Sequence, residues 1–206
     1  MYRAGAQRRI SAFVTKAARF CLDRRGVAAI EFAFIVPVLL IMYFITMEAS
    51  QAIETSKKVS RIGSMVADLV TQQTSVTKAD LDAIMKIGTS TLQPYNRSTP
   101  TIIITGIQIS DEASPKATVA WSRKLVGTTY SADAAKTSPT TVPPTLNIRN
   151  TFLVRVESDL GYKPMITWSA DSSSTLGLTS AFNNISMGET YYLRPRRGPT
   201  VPCTDC

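Results

Sequence analysis

An apolar run at residues 27–47 constrains this chain more than any other feature. Its only polar members are Glu31 and Thr46, and Pro37 is its one helix breaker. Its 21 residues match the roughly 20 that cross a bilayer as a helix. A secretory signal has a shorter core, roughly 7–15 residues, closed by a small-residue cleavage site. Here Leu39, Leu40, Ile41, Met42, Tyr43, Phe44 and Ile45 continue without one, so the run predicts a membrane helix. Pro37 removes one backbone hydrogen bond, which membrane helices tolerate.

Charge predicts the orientation. Residues 1–25 carry seven basic side chains, Arg3, Arg8, Arg9, Lys16, Arg19, Arg24 and Arg25, against Asp23 alone. After Met47 come Glu48 and Glu54 before the next lysines. Positive residues stay cytoplasmic, so the N-terminus is expected inside and the remainder exported. The pI near 9.6 is therefore mostly a topology signal, and no nucleic-acid partner is expected.

Gly26-Val27-Ala28-Ala29-Ile30-Glu31-Phe32 joins the basic leader to the apolar run. A carboxylate there is costly to bury, which makes Glu31 a functional residue by default. The arrangement resembles the processing site of type IV prepilins and pseudopilins. That resemblance implies a cut between Gly26 and Val27 by a prepilin peptidase, with Glu31 fifth in the mature chain. In a helical stack of subunits, Glu31 would pair with a neighbour's new N-terminal ammonium, because a paired buried charge survives where an isolated one does not. Glu31, Phe32 and Pro37 are the expected subunit-assembly residues.

Histidine is absent, which removes the commonest general base and metal ligand together. Of three cysteines, Cys21 lies in the leader, while Cys203 and Cys206 lie in the exported part, where oxidation is favoured. Cys203-Thr204-Asp205-Cys206 lacks a second ligand pair for zinc and the strand-to-helix setting of a redox motif. It reads as a small local disulfide in a frayed tail. No cofactor, metal, small-molecule substrate or enzymatic activity is expected, since no nucleophile, base and oxyanion hole assemble.

Beyond the membrane run, Ala49, Ile53, Val59, Ile62, Val66 and Leu69 form an amphipathic stripe, with Gly63 as its weak point. Thr77-Lys78-Ala79-Asp80 resembles a capping box with aspartate in place of glutamate, opening a second helix with Leu81, Ile84 and Met85. Strands are expected at 101–110 and 116–125, the latter placing Ala117, Val119 and Trp121 on one face. Residues 111–115 would join them as a hairpin. Residues 127–150 read as a long surface loop with a short helix near Leu146. The strand at 151–162 turns Phe152, Val154, Val156, Leu160 and Tyr162 one way. A last strand at 189–194 ends at Pro195, and Tyr191, Tyr192, Arg194, Arg196 and Arg197 read as an edge strand with a solvated end. Residues 171–174 form a polar loop. Trp121 and Trp168 are expected in the core. Asn96-Arg97-Ser98 and Asn184-Ile185-Ser186 match glycosylation sequons that occur often by chance.

The expected class is α+β, a long N-terminal helix, transmembrane then amphipathic, packed on a small antiparallel β-sheet head. The expected parts are a basic cytoplasmic leader (1–26), a transmembrane helix (27–47), an amphipathic stalk with a second helix (48–93) and a linker (94–100). A periplasmic β-rich head (101–195) and a C-terminal tail (196–206) complete the division.

With this layout the chain resembles the TadE/TadG-like proteins of the tight-adherence (Tad/Flp) pilus system. The carriers are residues 24–34 with Pro37, then Tyr162-Lys163-Pro164 and Tyr191-Tyr192-Leu193-Arg194-Pro195-Arg196. The resemblance implies a minor pseudopilin, inserted single-pass in the bacterial inner membrane, acting structurally in pilus assembly, adherence or secretion. Its implied partners are the prepilin peptidase, other Tad pilins and pseudopilins, and the assembly platform. The alternative is an uncleaved, single-span envelope domain that binds a ligand or partner. Mature size separates the two.

Overall fold

The structure, a computed structural model, describes residues 26–164 and 185–206. The basic leader with Cys21, the loop at 171–174, Trp168 and Asn184 lie outside the described residues. The chain divides after Met47 into two compact units.

In the first unit the described residues from Val27 onward are helical and belong to α1 (Val27–Thr71). Their apolar side chains are open: Phe32, Phe34, Val38, Leu39, Met42 and Tyr43 are all exposed. No residue of this apolar stretch, from Val27 to Met47, is buried. Such surface is unfavourable in water and suits the bilayer core, which a helix of this length spans.

The second unit has the expected α+β architecture. It holds the rest of α1, then α2 (Lys78–Ser90) and, among the described residues, five strands in one sheet: β1 (Thr101–Ile109), β2 (Ala117–Val126), β3 (Thr129–Ser131), β4 (Phe152–Gly161) and β5 (Ser186–Leu193). Strand order is β3-β2-β1-β4-β5, and every pairing is antiparallel. Ile102 and Ile104 of β1 and Phe152, Val154, Val156 and Leu160 of β4 bury one sheet face against Val59, Ile62, Val66 and Val70 of α1 and Leu81 and Met85 of α2. Burying each of these large side chains contributes about 1.5–3 kcal/mol.

The buried face of α1 is offset from the one its apolar spacing suggests. Ile53 is 58% exposed, and the covered line runs through Thr55, Val59, Ile62, Val66 and Val70. At Gly63 the helix comes so close to the sheet that a Cβ would stand 2.7 Å from Tyr191 Cδ2 and 2.9 Å from Ser158 Oγ. Gly63 is thus a contact point in an unbroken helix. Next to it the Ser60 and Tyr191 hydroxyls are hydrogen bonded at 2.5 Å.

Two further expectations change. Ala117 and Trp121 do not share a face: Trp121 joins the helix-covered core, while Ala117 packs with Ile107, Ile109 and Leu153 on the other side. The reason is a bulge. Gly106 pairs with Trp121 but Ile107 with Val119, so Ala120 is an extra residue that inverts the alternation. Gly106 leaves room for the indole, since a Cβ there would lie 2.5 Å from Trp121 Cε2.

The segment at 127–150 is also more than a surface loop. It contributes β3, lays Thr137–Thr140 along β2 through Thr137 N–H to Val119 O and Thr140 N–H to Ala117 O, and covers the second sheet face with Val142 and Leu146. It thereby pairs a strand edge that would otherwise be open to other chains.

Candidate functional site

The residues expected from the sequence to serve processing and assembly occupy the start of α1. Gly26 directly precedes its first residue, and a Cβ at Gly26 would meet nothing within 4 Å. Val27 is 48% exposed and Phe32 69% exposed, while Glu31 lies one turn in and is also exposed. Pro37 stands inside the helix, where its missing N–H leaves a carbonyl one turn earlier without its helical donor. These residues share one helix start, and their arrangement offers an exposed carboxylate on an apolar surface.

A second site begins directly after the apolar run. Glu48 is only 4% exposed, and its Oε1 accepts a hydrogen bond from the Tyr162 hydroxyl. Burial, and then the hydrogen bond to Glu48, push the Tyr162 phenol well above its ordinary value. Tyr162 stacks on Tyr95 with ring centroids 5.8 Å apart. The Arg97 guanidinium lies over both rings, 4.9 Å from Tyr95 and 5.8 Å from Tyr162, a placement that favours a cation. Its Nη2 donates to Gln51 Oε1 at 3.0 Å.

Further hydrogen bonds tie in the chain around these side chains. Lys163 N–H donates to the Tyr95 hydroxyl at 2.9 Å, and Ser98 Oγ donates to Gly161 O at 2.6 Å. On α1, Lys58 Nζ donates to Gln93 O at 3.1 Å. Three stretches, at 48–58, 93–98 and 161–163, are therefore cross-linked by polar contacts. A cleft of roughly 430 Å³ lies beside them, lined by Gln51, Thr55, Lys58, Tyr95, Asn96 and Arg97 among others. The polar groups engage one another, which suits positioning of the helix rather than reaction. Tyr162 carried a resemblance in the sequence. Glu48, Tyr95 and Arg97 did not, because their partners lie 114, 67 and 46 positions away in the chain.

Cys203 and Cys206 are joined by a disulfide with their Cα atoms 5.6 Å apart. The tail that carries it does not fray. Arg196 N–H donates to Thr71 O, Val76 N–H to Pro202 O and Thr204 N–H to Val76 O. Val201 is fully buried, and its carbonyl accepts from Trp121 Nε1 at 2.8 Å. Asp205 Oδ1 accepts the N–H of Lys78, the first residue of α2, at 2.8 Å. A tail rich in proline and threonine shows no periodicity, so its docking is set wholly by tertiary contacts.

Residues 26–61 match the family model described as TadE-like protein. No curated protein and no solved structure matches the chain. The matched segment spans Gly26, Glu31 and Pro37 and reaches across the membrane run to Glu48, Gln51 and Lys58.

Proposed function

We propose that this chain, whose residues 26–61 match the TadE-like family model, is a membrane-anchored minor pseudopilin associated with a Tad-type pilus. In this reading a prepilin peptidase cuts between Gly26 and Val27. The mature chain stays single-pass in the bacterial inner membrane with its second unit in the periplasm. It acts structurally with other Tad pilins and the assembly platform.

The observation that carries the reading is the start of α1. Its first residue is Val27, directly after Gly26, and Glu31 follows one turn later on an exposed apolar surface. Once the leader is gone, the Val27 ammonium and the Glu31 carboxylate are opposite charges at one helix end. In a low-dielectric stack of helices their pairing between neighbouring subunits offsets the cost of burying either alone. An anion in the first turn also suits the helix dipole. The polar cluster at Glu48, Arg97 and Tyr162 has a supporting role, holding the first exported turns of α1 to the sheet.

Affinity recovery of the tagged full-length chain from membranes tests the assembly role. The wild-type chain is expected to bring down pilus and platform components, and a Gly26→Val variant, which blocks the cut sterically, is expected to lose them. Equal recovery by both chains would contradict the reading.

A further inference from the structure

The Cys203–Cys206 disulfide is held at a junction of the second unit. Cys206 is exposed and Cys203 half-buried. Beside Cys206 lies a cleft of roughly 200 Å³ whose lining includes Lys78, Trp121, Arg123 and Lys136. Between the cysteines, Asp205 Oδ1 accepts the Lys78 N–H at 2.8 Å and stands 3.5 Å from Cys203 Sγ. We propose that Cys203–Cys206 is a thiol–disulfide exchange site for a protein dithiol, and that its redox state sets how firmly the N-terminus of α2 is held.

The exchange balances as follows. A partner thiolate attacks the exposed Cys206 Sγ. The Cys203–Cys206 bond breaks, its electron pair goes to Cys203 Sγ, and that sulfur takes up a proton. The partner's second thiolate then attacks its own sulfur in the mixed disulfide and releases Cys206 as a thiolate, which is also protonated. Two electrons and two protons pass to this chain, and the partner becomes the disulfide. Lys78 and Lys136 line the same cleft as Cys206, and nearby cations favour a thiolate over a thiol.

The consequence reaches α2 through Asp205. The first N–H groups of a helix have no partner within it, and a carboxylate there also interacts favourably with the helix dipole. In the disulfide state the Cys203 sulfur has no hydrogen, and a closed ring of four residues fixes Asp205 under Lys78. In the dithiol state that ring opens, and the Cys203 thiol donates toward the same Asp205 oxygen. Both changes weaken the hold on Lys78. The rest of the strap does not depend on the sulfur–sulfur bond, because Val76, Pro202 and Thr204 are joined through backbone and Val201 is anchored in the core.

The test uses the full-length chain in detergent, with purified thioredoxin, its reductase and NADPH as the dithiol. Mass-mapped thiol labelling is expected to show Cys203 and Cys206 freed under native conditions. Hydrogen exchange across residues 76–82 is expected to quicken several-fold while β1 and β4 stay protected. Asp205→Ala should keep the disulfide, show the fast exchange already when oxidised, and respond no further to reduction. The proposal is overturned if the disulfide resists thioredoxin until the chain unfolds, or if exchange at 76–82 is the same in both states. Loss of protection throughout the sheet on reduction, or an Asp205→Ala chain that keeps the wild-type redox response, would equally overturn it.

Discussion

The Tyr162 hydroxyl donates to the buried Glu48 carboxylate, joining residues 114 positions apart. Glu48 is the first residue after the apolar run, and Tyr162 directly follows β4. The bond therefore fixes the start of the second unit's helix to the end of a central strand. Removing the donor leaves a buried carboxylate short of one hydrogen bond, which costs about 1–3 kcal/mol. Tyr162→Phe is expected to lower unfolding stability by that amount in denaturant titration of the detergent-solubilised chain. An unchanged midpoint would show the bond to be dispensable.

The same pair predicts an alkaline limb. Burial, followed by the Glu48 hydrogen bond, raises the Tyr162 phenol above its ordinary value of 10.0. A group whose folded value is raised stabilises the fold below its unfolded value and loses that contribution as pH rises through the folded one. Stability is thus expected to fall above about pH 10 more steeply in wild type than in Tyr162→Phe. Parallel curves for the two chains would contradict this.

Gly63 is expected to tolerate no side chain. A Cβ there meets the Tyr191 ring and Ser158 Oγ at 2.7 and 2.9 Å, and overpacking of this kind typically costs about 1–3 kcal/mol. Gly161→Ala is the control, since nothing lies within 4 Å of its Cβ, and a change within about 0.5 kcal/mol is expected. Comparable losses in the two variants would rule out the steric account.

The capping box at the start of α2 is expected to respond to acid through Asp80. Thr77 N–H donates to Asp80 Oδ2 at 2.9 Å, and Asp80 N–H donates back to Thr77 Oγ1 at 3.2 Å. The Thr77 hydroxyl, more than its backbone, holds the Asp80 carboxyl below its ordinary value of 3.8. A depressed carboxylate stabilises above its unfolded value and loses that contribution as pH falls through the folded one. Amide exchange at residues 77–81, corrected for intrinsic pH dependence, should accelerate between about pH 5 and about pH 2.5 in wild type and much less in Asp80→Asn.

Local chemistry made much of this legible. The capping box needs only Thr77 and Asp80 three residues apart, and the long strand's alternation placed Phe152, Val154, Val156, Leu160 and Tyr162 on the core face where the structure has them. Phase errors arose where one residue breaks a period. The extra Ala120 reverses β2, and the helix face settles on Val59, Ile62, Val66 and Val70 because the sheet's shape selects it. The docked tail and the Glu48–Tyr162–Arg97 cluster were not legible, since each joins segments far apart in sequence.

Glu31 is expected to act in assembly. Glu31→Leu makes insertion easier and Glu31→Gln keeps the shape without charge, so both variants should reach the membrane and lose the leader. Both should nevertheless fail to support piliation or to bring down pilus partners. Normal adherence and partner recovery from the Glu31→Leu strain would remove the carboxylate from the assembly mechanism.

The central claim is that this chain is a processed pseudopilin, and the N-terminus of the membrane-extracted protein tests it most directly. Intact-mass measurement with N-terminal sequencing, in cells with an active prepilin peptidase, is expected to find chains that begin at Val27. Chains that still begin at Met1 would contradict the account and favour an uncleaved, membrane-anchored envelope domain.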